Sequence, residues 1–80
     1  MKITYDPEGD VLYIELRHAK AEDNVDIEPG VSVDLDVNGH VIGIEILDAK
    51  ERIGTDPLAA VSIERLMPEA EDTETPAEVA

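Results

Sequence analysis

Between Val31 and Leu47 the chain reads VSVDLDVNGHVIGIEIL, and nearly every second residue is a large aliphatic. A period of two is the mark of a strand with one buried face, whereas an amphipathic helix repeats its apolar positions every three to four residues. Val31, Val33 and Leu35 alternate with Ser32, Asp34 and Asp36, and Ile42, Ile44 and Ile46 resume the alternation after Asn38-Gly39. Asn-Gly is the preferred dipeptide of a two-residue type I′ turn, since both residues accept positive φ. That turn pairs Leu35 with Ile42, Val33 with Ile44 and Val31 with Ile46, so turn chemistry and burial ask for the same register.

The period of two holds earlier in the chain as well. Ile3 and Tyr5 alternate with Lys2 and Thr4; after DPEGD, Leu12, Ile14 and Leu16 fall on one face and Val11, Tyr13 and Glu15 on the other, which predicts a first hairpin. RHAKAEDN at 17–24 has no period and reads as a loop, and VDIE at 25–28 reads as a short third strand ended by Pro29-Gly30. Past residue 47 the pattern changes. DAKERI at 48–53 predicts a short helical turn closed by Gly54, and Asp56-Pro57 predicts an N-cap followed by proline at the first helical position. A helix over 57–67 would align Ala59, Ala60, Ile63, Leu66 and Met67 opposite Glu64, with a strand at AVSIE as the alternative. From Pro68 onward PEAEDTETPAEVA is acidic and poor in bulky apolar residues, so a disordered tail is expected at 68–80. The expected fold is mainly β (α+β): one domain at 1–67, built as an antiparallel meander of four to five strands in two hairpins, with a C-terminal helix.

A chain of 80 residues buries only about 60% of the surface it exposes when unfolded, so its core is thin and help from a second copy is expected. It has no cysteine, which removes disulfides and cysteine-based zinc sites from consideration. Twenty acidic residues against six basic ones give a net charge of −14, which repels nucleic acid and anionic membranes and attracts basic proteins or cations. Two tyrosines and no other aromatic leave little with which to stack on bases. The N-terminal MKITYDPEGD is charged where a signal peptide is apolar, and no run approaches the roughly 20 apolar residues of a membrane span, so a cytoplasmic location is expected.

Three motifs invite sharper readings. DLDVNGHVIGIE, from Asp34 to Glu45, matches the twelve-residue EF-hand calcium loop position for position. Such a loop needs a helix on each side, and the preceding DIEPGVSV carries Pro29-Gly30 and β-branched residues that oppose one. In a hairpin Asp34, Asp36 and Glu45 instead form a ridge of solvated carboxylates on the face opposite Leu35, with no enclosing cage. His18 and His40 fall at one end of a meander, near Asp36, Glu22 and Asp23, where two imidazoles and a carboxylate would suit zinc; no ligand spacing such as H-E-x-x-H supports them. Ser32 and Ser62 lack the context of a catalytic nucleophile, and the glycines are turn residues. No catalytic residue, metal or cofactor is therefore expected. Asp34, Asp36, Glu45, His18 and His40 remain the candidates of the alternative reading, a cation-dependent enzyme or metal sensor.

ITYDPEGDVLYIEL followed by PGVSVDLDVNGHVIGIEILDA resembles a small prokaryotic family known as domain of unknown function 2283. Its pattern is Y-D-x-E-x-D-x-L-Y-I near the start and V-x-x-D-x-G-x-V-x-G-I-E-I-L-D-A later. Tyr5, Asp6, Glu8, Asp10, Leu12, Tyr13 and Ile14 fill the first block; Gly39, Val41, Gly43 and the run from Ile44 to Ala49 fill the second. The resemblance covers residues 1–53 and implies a compact, mostly antiparallel β fold from a bacterium or archaeon, without an assigned activity. Some similar proteins are encoded beside small toxin-like proteins, which hints at an antitoxin-like role.

Together these readings describe a non-catalytic binding or oligomerisation module, an acidic partner of a basic protein, forming a homodimer. In a meander the fifth strand is an edge, and Val11, Tyr13, Val41 and Leu47 gather around Gly43 on its second face. That face, or edge pairing of strand 5, is the expected dimer interface, with Tyr13 as an anchor.

Overall fold

A computed structural model of the chain describes residues 1–59 and 61–66. Five strands form one antiparallel sheet: β1 (Lys2–Asp6), β2 (Val11–Glu15), β3 (Asp23–Glu28), β4 (Val31–Leu35) and β5 (Val41–Leu47). A helix, α1 (Ala49–Ile53), and a 3₁₀ turn at Pro57–Ala59 follow. No helix among the described residues is long and apolar enough to cross a membrane.

The two expected hairpins are present, but their arrangement departs from a sequential meander. The strand order is β1-β2-β5-β4-β3, so β5 lies at the centre of the sheet and β2 pairs along its second side. Edge pairing of β5 between copies is therefore ruled out, because both of its backbone sides are already used. The physical reason is that β5 is the most continuously apolar strand, and a central place satisfies all its backbone groups while hiding it from other chains. The linker at 16–22 makes this possible. Seven residues reach up to about 23 Å, and the gap from β2 across β5 and β4 to β3 is roughly 15 Å. The edges are β1 and β3; β3 is exposed along its whole length, carries Asp23, Asp26 and Glu28, and is bulged between Asp26 and Glu28, features that discourage further pairing.

The β4–β5 turn also differs from a type I′ turn. The Asp36 N–H donates to the His40 carbonyl at 2.9 Å and the Gly39 N–H to the Asp36 carbonyl at 3.0 Å, which closes a three-residue loop, Val37–Gly39. Within it only Gly39 has a positive φ, of 83°. This is the longer hairpin loop, a turn followed by a left-handed glycine. The Asp36 carboxylate selects it by accepting the N–H groups of Asn38 and His40, each at 2.9 Å. Leu35 consequently stands opposite Val41 and not Ile42, and a bulge at Ile42 restores the expected pairs Val33–Ile44 and Val31–Ile46. An extra residue in the loop is cancelled by an extra residue in the strand.

At the other end of the sheet α1 is held by residues distant in sequence. Its N-cap, Asp48, has φ 53° and makes no side-chain cap. The Asp10 carboxylate caps the helix instead, accepting the Lys50 N–H at 3.1 Å, while the Asp10 carbonyl accepts the Ala49 N–H at 3.1 Å. The Tyr5 hydroxyl donates to Asp10 at 2.7 Å and fixes it. Arg52 ties α1 to the β3–β4 turn by donating to Glu28 at 2.7 Å and to the Pro29 carbonyl. Gly54, at φ 86°, terminates the helix.

Among the described residues, the helix expected over 57–67 is not formed. Asp56 accepts the Leu58 N–H at 3.0 Å, as an N-cap should, but only the 3₁₀ turn at Pro57–Ala59 follows, and residues 61–66 are neither helix nor strand. Leu58, Ile63 and Leu66 are 73, 81 and 92% exposed, so these residues pack on no surface, and a helix this short is marginal without one. Ala60 and Met67 lie outside the described residues, as does the tail expected at 68–80.

Candidate functional site

Residues directly opposite across antiparallel strands share a face, so the register defines two surfaces. One is aliphatic. Ile3, Ile14, Ile44, Val33 and Val25 cross the sheet in one row, and Tyr5, Leu12, Ile46 and Val31 in the next. The other face is polar, with rows Thr4, Tyr13, Glu45, Ser32, Asp26 and Lys2, Glu15, Gly43, Asp34, Asn24.

On the polar face the Tyr13 ring lies across Gly43. A Cβ built at Gly43 would overlap the Tyr13 hydroxyl and lie 2.5 Å from Cζ, so glycine is required there by its own chain's tyrosine. The Tyr13 hydroxyl donates to Asp34 Oδ2 at 2.8 Å, and Asn24 Nδ2 donates to Asp34 Oδ1 at 2.9 Å. Asn24 also reaches Ser32 Oγ at 3.3 Å, and Ser32, 7% exposed, donates to Glu45 at 3.4 Å. The network runs donor to acceptor within the chain, from Tyr13, Asn24 and Ser32 to Asp34 and Glu45. The hydrogen bond to Asp34 pushes the Tyr13 pKa up to about 12, with desolvation and the charges of Asp34, Glu15 and Glu45 adding to it. The bond to Asp10 likewise raises Tyr5 to about 12, again with desolvation and neighbouring carboxylates contributing. At neutral pH both hydroxyls are fixed donors, and neither offers a base or an activated nucleophile.

The other sequence candidates are dispersed. Asp34 and Glu45 do share the polar face, whereas Asp36 is consumed by its turn and by an ion pair with Arg17. Its pKa is lowered, first by the His40 backbone hydrogen bond and then by Arg17 and the Asn38 N–H, against an opposing desolvation. His18 and His40 flank the same end of the sheet, but the His18 ring contacts Glu15 at 3.2 Å and His40 is exposed. Among the described residues no three His, Cys, Asp or Glu are placed to hold a metal ion.

Of the proposed interface residues, Val11, Tyr13, Gly43 and Leu47 occupy the polar face, with Val11 opposite Leu47. Val41 does not join them, because the bulge at Ile42 sets it opposite Leu35. The space above Gly43, expected to admit a partner's ring or backbone, is filled by Tyr13 of the same chain. Sequence reasoning missed Asn24, placed in a loop, and Asp10, read only as a turn residue. A signal for Asp10 existed in its fixed spacing from Tyr5.

Comparison with known proteins is consistent with this map. A family model described as Protein of unknown function (DUF2283) matches residues 2–50, from β1 to the start of α1. An uncharacterised protein of Methanocaldococcus jannaschii is 39% identical over 56 residues, which is 70% of this chain and 47% of that protein. The chain thus spans about half the length of the curated relative it matches. No solved structure matches the chain significantly.

Proposed function

We propose, from the premise that this chain belongs to the family described as Protein of unknown function (DUF2283), that it is a non-catalytic binding and oligomerisation module working through its aliphatic face. The observation that carries this reading is that no second layer covers the sheet among the described residues. Apart from Pro57, the buried apolar side chains among the described residues are Leu12, Ile42 and Ala49, while Ile14, Ile44, Ile46, Val31 and Val33 remain half-buried and Ile3 and Val25 are exposed. Stable domains pack two layers around a core, and an apolar sheet face left bare marks a place where another surface docks. The internally hydrogen-bonded polar network supports the absence of catalysis in this reading. Native mass spectrometry tests it: an assembly containing this chain, dissolved by Val33→Asp, is expected, and a bare chain whose state Val33→Asp does not alter would overturn it.

The finer version makes the module an acidic, antitoxin-like partner of a basic protein. Its support is the net charge of −14, since complementary charge accelerates association. Purification from the native host at low salt should then recover a basic protein in stoichiometric amount, released as salt is raised. Recovery of none would remove this version.

A further inference from the structure

We propose that the aliphatic face is covered by a second copy of this chain, the two sheets stacking face to face as an aligned β-sandwich. The inference rests on the reading of that face as an interaction surface and names its occupant.

Four observations converge on it. From β1 to β4 the two aliphatic rows carry no charged side chain, and Glu28 and Asp23 stand on this face only at its β3 rim, while the polar face presents Glu15, Asp34, Glu45 and Asp26. With −14 on each chain, stacking polar face on polar face would bring carboxylates together, whereas stacking the aliphatic faces keeps every one of those charges on the outside. Pairing through β3 is disfavoured as well, since β3 is acidic and bulged, and β5 is central, which leaves the five-residue β1 as the one open edge. Pairing through β1 would leave the aliphatic rows uncovered, whereas face-to-face stacking covers them.

The area is adequate. Five strands about 4.8 Å apart and about 17 Å long present roughly 400 Å² of projected surface per copy, and a ridged aliphatic face has more accessible area than its projection, which brings the pair to the about 1,000 Å² expected of a specific contact. The chain's own segment at 61–66 is a poorer cover. Laid flat it spans about 20 Å by 5 Å, a quarter of the face, and it carries Glu64 and Arg65. Residues 67–80 add Met67 and Val79 as their only large aliphatics, among five acids. A flat, all-aliphatic, similarly twisted surface is what the face complements, and a second copy supplies it through a twofold axis.

Light scattering at micromolar concentration should give twice the 8.7 kDa chain mass, with dissociation weakened as salt screens the like charges. Ile44→Asp should halve that mass, and Leu47→Asp on the polar face should leave it. Because Ile44→Asp risks the fold itself, a second measurement uses the absence of cysteine: Val33→Cys should crosslink chain to chain through a bis-maleimide of about 10 Å, the spacing of stacked sheets, while Thr4→Cys on the polar face should not. A single-chain mass, or a dimer that survives Ile44→Asp and is broken by Leu47→Asp, would overturn the proposal. A monomer that strongly binds a hydrophobic dye would refute the second copy while keeping the open face; a monomer that binds none would refute the face as well.

Discussion

Replacing Gly43 by alanine puts a methyl group where the Tyr13 ring lies, overlapping the hydroxyl and standing 2.5 Å from Cζ and 3.2 Å from Cε1. Backbone on a central strand cannot retreat, so the ring must swing off the sheet. It then loses the hydrogen bond to Asp34, worth about 1 kcal/mol, together with ring packing that brings the total to about 2–3 kcal/mol. Alanine recovers about 0.5–1 kcal/mol over glycine within a strand, which leaves a net loss of about 1–2 kcal/mol. In a domain of this size that lowers Tm by roughly 5–15 °C. Thermal unfolding followed by circular dichroism measures it, at one fixed protein concentration because association makes Tm concentration-dependent. The decisive background is Tyr13→Ala, where Gly43→Ala meets no ring and should be neutral or stabilising. A coupling of about 1.5–3 kcal/mol between the two sites is expected; the same cost for Gly43→Ala in both backgrounds would show that the ring is not why glycine is there. Tyr13→Phe should relieve the clash only in part, since Cζ remains.

Tyrosinate absorbance should report both tyrosines titrating near 12, and the native state therefore keeps protons that the unfolded chain, ionising near 10, gives up. The stabilisation is full below pH 10 and is lost as pH rises toward 12; Tyr13→Phe should flatten that loss, and titration of both groups at 10 would contradict the hydrogen bonds to Asp10 and Asp34. Asp36 acts at the acid end: its lowered pKa contributes stability present above the ordinary carboxylate range and lost as pH falls through its folded value, so Asp36→Asn should reduce the acid sensitivity of unfolding. Asp10→Ala should cost about 1–2 kcal/mol by uncapping α1 and straining a residue at φ 57°, with Asp10→Asn milder; equal stability of all three chains in urea would dismiss the remote cap. Calcium, zinc or manganese at millimolar concentration should leave Tm unmoved, because Asp36 is already engaged and Asp34 and Glu45 hold Tyr13, Asn24 and Ser32; a melting shift would revive the cation reading.

The sequence by itself determined the five strands to within a few residues, the two hairpins and the faces of most strand residues, Val41 excepted, because alternation and turn residues act over a few positions. Val33 opposite Ile44 and Val31 opposite Ile46 follow from the alternation together with the position of Asn38-Gly39, even though the turn is of another type and a bulge restores the register. The helical turn at α1, closed by Gly54, and the N-cap at Asp56 are equally local. What stood beyond the sequence depends on contacts between distant residues. Whether β5 is an edge is decided by β2, whose hairpin is added across a linker with no pattern of its own. Asp10 becomes a cap only when the sheet carries it to Lys50, forty positions away, and Gly43 has a use only once Tyr13 from the neighbouring strand lies over it. Residues 61–66 follow a pattern that suits a helix and form none, since an amphipathic face is stabilised by the surface it buries against, and only the tertiary structure reveals that Ile63 and Leu66 stay exposed.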